Sequence, residues 1–91
     1  MLYAWMGFLR SGAELVPQSV QQLTTEFLAQ PSIDIHYAGP LRDAAGNRAG
    51  MMMIFEHESR EAAETFVSDS PYLRADLYED YRLYEYVNEV G

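Results

Sequence analysis

Between residues 32 and 57 the chain is patterned for one antiparallel hairpin. Ile33, Ile35 and Tyr37 alternate with Ser32, Asp34, His36 and Ala38, which predicts a half-buried strand over 32–41. The polar run 42–48 follows, where Gly46 and Asn47 can take positive φ. Residues 49–57, around Met51-Met52-Met53-Ile54-Phe55, read as the partner strand. A hairpin is not stable alone in water, so the rest of the chain must add strands and a covering layer.

The flanks supply both. Residues 2–9 are short, aromatic-rich and apolar on both faces, which predicts a central strand ended by Arg10-Ser11-Gly12. Val16, Val20, Leu23 and Phe27 make an apolar stripe on a helix over 17–29. Pro17 suits the first helical position, where a missing N–H costs nothing, and Pro31 ends the helix. Ser59 is a good N-cap and Glu61 a favourable first-turn acid for a helix with Ala62, Ala63, Phe66 and Val67 inward, ending near Ser68. Ser70-Pro71 reads as a second cap with a first-position proline, opening a short helical segment through Leu73 and Leu77. Residues 79–87 read as the last strand.

The order β-α-β-β-α-β is the ferredoxin-like, split βαβ pattern of the α+β class. It predicts an antiparallel four-stranded sheet with both helices on one face, in one domain over 1–91. The second face is then left bare, yet strands 2–9 and 49–57 carry few polar residues. Apolar and aromatic residues make up 48% of a 91-residue chain with no cysteine. A domain of this size buries only about 60–65% of its unfolded surface, and no disulfide compensates. Face-to-face pairing into a homodimer resolves the excess.

Charge excludes several partners. The net charge is -8, all six cations are arginine, and residues 56–91 carry -7 of the total. Phosphate backbones and anionic membranes would be repelled, so neither nucleic acid nor membrane is an expected partner. No apolar run approaches the ~18 residues of a spanning helix. The start lacks a basic flank before its apolar stretch, so the expected location is cytoplasmic.

Three stretches carry a resemblance: the opening strand with its polar loop and helix; Tyr37-Ala38-Gly39-Pro40-Leu41; and Glu58-Ser59-Arg60-Glu61-Ala62-Ala63-Glu64 with Ser70-Pro71-Tyr72 and Ala75-Asp76-Leu77-Tyr78. In this order and spacing the chain resembles the YCII-related (YciI-like) proteins. The resemblance implies a dimeric α/β-barrel assembly with a small pocket in each subunit. It also implies a His–Asp pair, the histidine on the first helix and the aspartate opening an Asp-Pro-Tyr or Asp-Pro-Phe segment. Some members act on small chlorinated or aromatic rings. Here the histidine position falls on or near Gln22 and the aspartate position on Ser70, with Asp69 one residue early. An imidazole can take and return a proton near neutrality while a carboxylate fixes its tautomer. Gln22 cannot do this.

Other candidates have two readings each. Asp34 and His36 are neighbours on one strand face, either a displaced acid–base pair or the polar rim of an edge strand. His57 with Glu56 and Glu58 is a metal set or a solvated strand end; the histidine spacing matches no ligand motif, so no metal is expected. Met51, Met52 and Met53 line an adaptable pocket or divide between core and interface. Tyr72, Tyr78, Tyr81, Tyr84 and Tyr86 meet a ligand or lie at interface and surface. Trp5 is core or pocket wall, and Gly39-Pro40 a strand-end bend beside the pocket. Arg10 and Arg42 clamp a carboxylate or pair with the chain's own acids. There is no glycine-rich phosphate cradle and no cofactor is expected.

The leading expectation is a homodimer that binds a small molecule through Gln22, Ser70, Tyr72, Trp5, Gly39 and Pro40, with the family pair absent. The runner-up is an enzyme doing acid–base chemistry on a small ring compound through Asp69, His36 or a tyrosine. The third is a structural interaction domain.

Overall fold

The computed structural model describes residues 1–12, 18–29 and 33–91, and all of these but the side chain of Tyr72. Val16, Pro17 and Pro31 lie outside the described residues. The elements are β1 (Leu2–Leu9), α1 (Gln18–Leu28), β2 (Asp34–Arg42), β3 (Arg48–Glu56), α2 (Arg60–Ser68), α3 (Pro71–Arg74) and β4 (Tyr78–Tyr86). The sheet order is β2-β3-β1-β4, with every pair antiparallel. This is the expected ferredoxin-like arrangement, with β1 central and β2 at an edge. Among the described residues no helix is long and apolar enough to cross a membrane.

The turn between β2 and β3 is built by Asp43. Its Oδ1 accepts the backbone N–H groups of Ala45 (3.0 Å) and Asn47 (2.9 Å). Gly46 alone takes the left-handed conformation there, at φ 87°. Ser59 caps α2 as its sequence suggests, accepting from the Ala62 N–H at 3.1 Å.

Strand alternation sorts the sheet into two faces. Tyr3, Trp5 and Gly7 of β1 and Met51, Met53 and Phe55 of β3 are buried under the helices. Phe55 packs on Phe66 of α2, which stacks on Phe27 of α1 at 4.8 Å between ring centres. The other face carries Leu2, Ala4, Met6 and Phe8 beside Met52 and Ile54, all half-buried or exposed. No described helix covers it. At its rim Arg82 sits 3.4 Å from Asp80; the Asp80 carboxylate, then Tyr84, hold its pKa above the ordinary arginine value.

Three expectations are corrected. On α1, Leu23 is 53% exposed, and Thr24 is the buried residue of that helix. The inward stripe is Val20, Thr24, Phe27 and Leu28, because position 24 completes the four-then-three spacing between Val20 and Phe27. On β2, a bulge between Ile35 and Tyr37 breaks the alternation. Tyr37 therefore pairs with Ile54 of the open face and is 70% exposed, instead of following Ile35 inward. The last strand begins at Tyr78, which is core at 3% exposure, whereas Tyr81, Tyr84 and Tyr86 are exposed.

Candidate functional site

The site begins with a missing side chain. A Cβ on Gly7 would lie 2.6 Å from Cη2 of Trp5 and 2.8 Å from Cδ1 of Tyr78. Glycine there lets the Trp5 ring lie back along β1, where Tyr78 meets it edge-on at 5.0 Å. The Tyr78 hydroxyl donates to Met51 Sδ at 3.8 Å.

Trp5, Met51 and Met53 form the sheet side of a small internal cavity. Thr24, Phe27 and Leu28 of α1 form a second side, and Val67 and Ser70 the third. Its volume is about 10 Å³, close to what one water needs. Ser70 sits at the N-cap of α3, yet its hydroxyl makes no capping bond. Two buried polar atoms of residues on this lining, Trp5 Nε1 and Thr24 Oγ1, have no hydrogen-bond partner among the described residues. Indole N–H only donates, while the threonine hydroxyl can donate or accept. A group with one oxygen could be held here. Among the described residues no ionisable side chain lines the cavity, so these residues can orient a ligand but supply no acid–base pair. Thr24, Leu28 and Met51 also line an adjoining outer cleft of about 200 Å³, together with Gln21, Gly39, Pro40 and Arg48.

A first prediction follows from the orphaned hydroxyl. Leaving a buried polar group unsatisfied costs about 1–3 kcal/mol, and replacing it by an apolar isostere is neutral or stabilising. Thr24→Val should keep or raise the thermal midpoint of the ligand-free protein. A fall of several degrees would mean that the hydroxyl is already bonded, by a resident water.

The predicted site residues divide. Trp5 and Ser70 meet at the inner cavity, and Gly39 and Pro40 line the outer cleft. Gln22 is exposed and lines neither. It stands two residues from Thr24, about 200° around the helix, so Thr24 takes the place expected of it. The stripe from Val20 to Phe27 was the signal that could have found Thr24. Asp69 ends α2 with its carboxylate 3.0 Å from Arg74, away from the cavity. His36 lies on the opposite sheet face, beside Glu56. The side chain of Tyr72 lies outside the described residues. Met51 and Met53 line the cavity while Met52 faces the open side. Arg10 pairs with Asp76 at 3.0 Å, and Arg42 reaches the Gly46 carbonyl, so neither stands at the cavity. His57 accepts the Glu58 N–H on its Nδ1 at 3.0 Å.

Solved structures share this architecture. A 5-chloro-2-hydroxyhydroquinone dehydrochlorinase from Burkholderia phenoliruptrix, in complex with 2,5-dihydroxybenzoquinone, superposes with a TM-score of 0.85. It is 22% identical, over 96% of this chain and 94% of that one. SnoaB, a cofactor-independent oxygenase from Streptomyces nogalater, gives 0.56 at 14% identity over 98% and 94%. Rv0793 from Mycobacterium tuberculosis gives 0.56 at 13% identity over 99% and 97%. At these identities the likeness is one of fold. No curated protein matches in sequence. The model of the YCII-related domain matches residues 2–87, nearly the whole chain, and the protein therefore belongs to that family.

Proposed function

We propose that the protein is a homodimer that binds a small oxygen-bearing ring compound and lacks the acid–base pair of its family. One observation carries the reading: Trp5, Thr24 and Ser70 converge on a cavity whose lining residues carry two polar atoms without a partner and, among the described residues, no ionisable group. The outer cleft, at about 200 Å³, exceeds the roughly 150 Å³ cavity that takes up benzene. A ring can occupy the cleft while its oxygen reaches inward. That one fold neighbour holds 2,5-dihydroxybenzoquinone supports a ligand of this shape. The apolar open face supports the dimer, since Phe8, Tyr37, Tyr84 and Tyr86 are exposed on it beside half-buried Met6, Met52 and Ile54, and a contiguous exposed apolar patch marks an interaction surface. Catalysis through Asp69 or His36 draws no support from their positions, one held by Arg74 and the other across the sheet.

Trp5 is the single tryptophan, so its fluorescence reports on the cavity. Titration with phenols, benzoic acids and quinones should give a saturable change for at least one class, with Kd between about 1 μM and 1 mM. Thr24→Val should weaken that binding. No response from any compound at millimolar concentration would sink the binding reading. Turnover of a bound compound by the wild type would overturn its non-catalytic part.

A further inference from the structure

Asp34 and Glu56 stand directly opposite each other across the β2–β3 pair. Like charges in that relation destabilise strand pairing unless a cation lies between them. The bulge places His36 on the same face, with Nε2 3.4 Å from Glu56 Oε2 and 3.7 Å from Asp34 Oδ2. Four arginines are engaged with other acids, Asp76, Glu64, Asp69 and Asp80. Among the described residues the ion pairs of Asp34 and Glu56 run to His36, one imidazole between two carboxylates. Two facing carboxylates and an imidazole thus share one spot, with one nitrogen ligand and two oxygen ligands turned toward each other.

We propose that Asp34, His36 and Glu56 form a three-ligand site for a first-row divalent cation, with Zn²⁺ as the reference ion. One ligand atom from each residue lies within 4.8 Å of the others. Tetrahedral zinc with bonds of about 2.0–2.2 Å holds its ligand atoms roughly 3.4 Å apart. The His36–Glu56 distance already meets this, and the exposed Asp34 carboxylate closes the rest by side-chain rotation. The imidazole selects zinc-like ions over Mg²⁺ and Ca²⁺, which take oxygen ligands. Three protein ligands leave a coordination position for water. In the single chain His36 also lines a cleft of about 410 Å³ with Tyr37, Ile54 and Tyr86, which gives that position open space beside it before pairing. The site lies at the β2 edge of the open sheet face; it does not depend on what the Trp5 cavity binds, and in the proposed dimer it requires that the paired faces leave this edge clear.

The full chain, stripped with chelator, should be titrated calorimetrically with ZnCl₂ and in parallel with MgCl₂. One Zn²⁺ per chain is expected, with Kd in about the micromolar range. His36→Ala should weaken it at least about tenfold, with smaller losses for Asp34→Asn and Glu56→Gln. His57→Ala, which changes the other histidine, should titrate as wild type. Zn²⁺ should raise the thermal midpoint of the wild type and not of His36→Ala, which separates ligation from misfolding. Absence of Zn²⁺ binding at about 1 mM, an unaltered titration by His36→Ala, or Mg²⁺ binding as tightly as Zn²⁺ would each overturn the proposal.

Discussion

A Gly50→Ala chain is expected to be largely unfolded at room temperature. Gly50 lies in β3, paired with Phe8 on one side and Leu41 on the other, and is buried. A Cβ there would drive into the carbonyl oxygen of Gly7. That atom belongs to the backbone of the central strand and cannot rotate aside. Relief requires β1 and β3 to separate where both are held on each flank. Backbone conflict of this kind belongs with the exceptional substitutions that cost more than about 4 kcal/mol. Domains have only about 5–15 kcal/mol in total, and small ones sit at the low end. Urea or thermal melts followed by circular dichroism check it; a midpoint within a few degrees of wild type would refute the argument. Gly7→Ala is the informative contrast. Its new methyl meets side-chain rings, Trp5 and Tyr78, which can yield in part, so that chain should fold with a shifted tryptophan emission.

A Met6→Glu chain should be a folded monomer under conditions where the wild type is a dimer. Met6 sits at the middle of the open face, with Met52 and Arg82 as its strand neighbours. No helix packs on it, so one chain alone tolerates the charge. Arg82 is already engaged with Asp80, so two copies brought face to face bury a pair of like charges in excess of the cations beside them, and such a buried charge costs several kcal/mol. Association should weaken at least about a hundredfold. Sedimentation velocity at micromolar concentration, with circular dichroism as the check on folding, separates the outcomes. A monomeric wild type, or a Met6→Glu dimer of unchanged affinity, would remove the case for face-to-face pairing.

Much of the fold is legible in the residues because strand and helix periods differ and the punctuation is clear. Asp43 and Gly46 mark the hairpin, Ser59 caps α2, and the apolar run at 2–9 belongs to a central strand paired along both edges. What the sequence hides is phase and pairing. Thr24 is polar, so it drops out of an apolar stripe that geometry nonetheless runs through it. The extra residue in β2 cannot be seen in an alternation that looks unbroken from Ile33 to Tyr37, yet it moves Tyr37 to the other face. Glu56 joins Asp34 and His36 only through the register of the hairpin. The cavity is less legible still, because Trp5, Thr24 and Ser70 come from three separate elements.

The pairing of β1 with β4 has a kinetic consequence. Leu2 is matched with Tyr86, so a central strand waits for residues remote from it in sequence before its second neighbour exists. Closing such a loop costs entropy before any contact repays it. Refolding should therefore resemble that of domains dominated by remote contacts, in milliseconds to seconds rather than microseconds. On the ribosome, a nascent chain halted before β4 emerges would present β1 with one side unzipped.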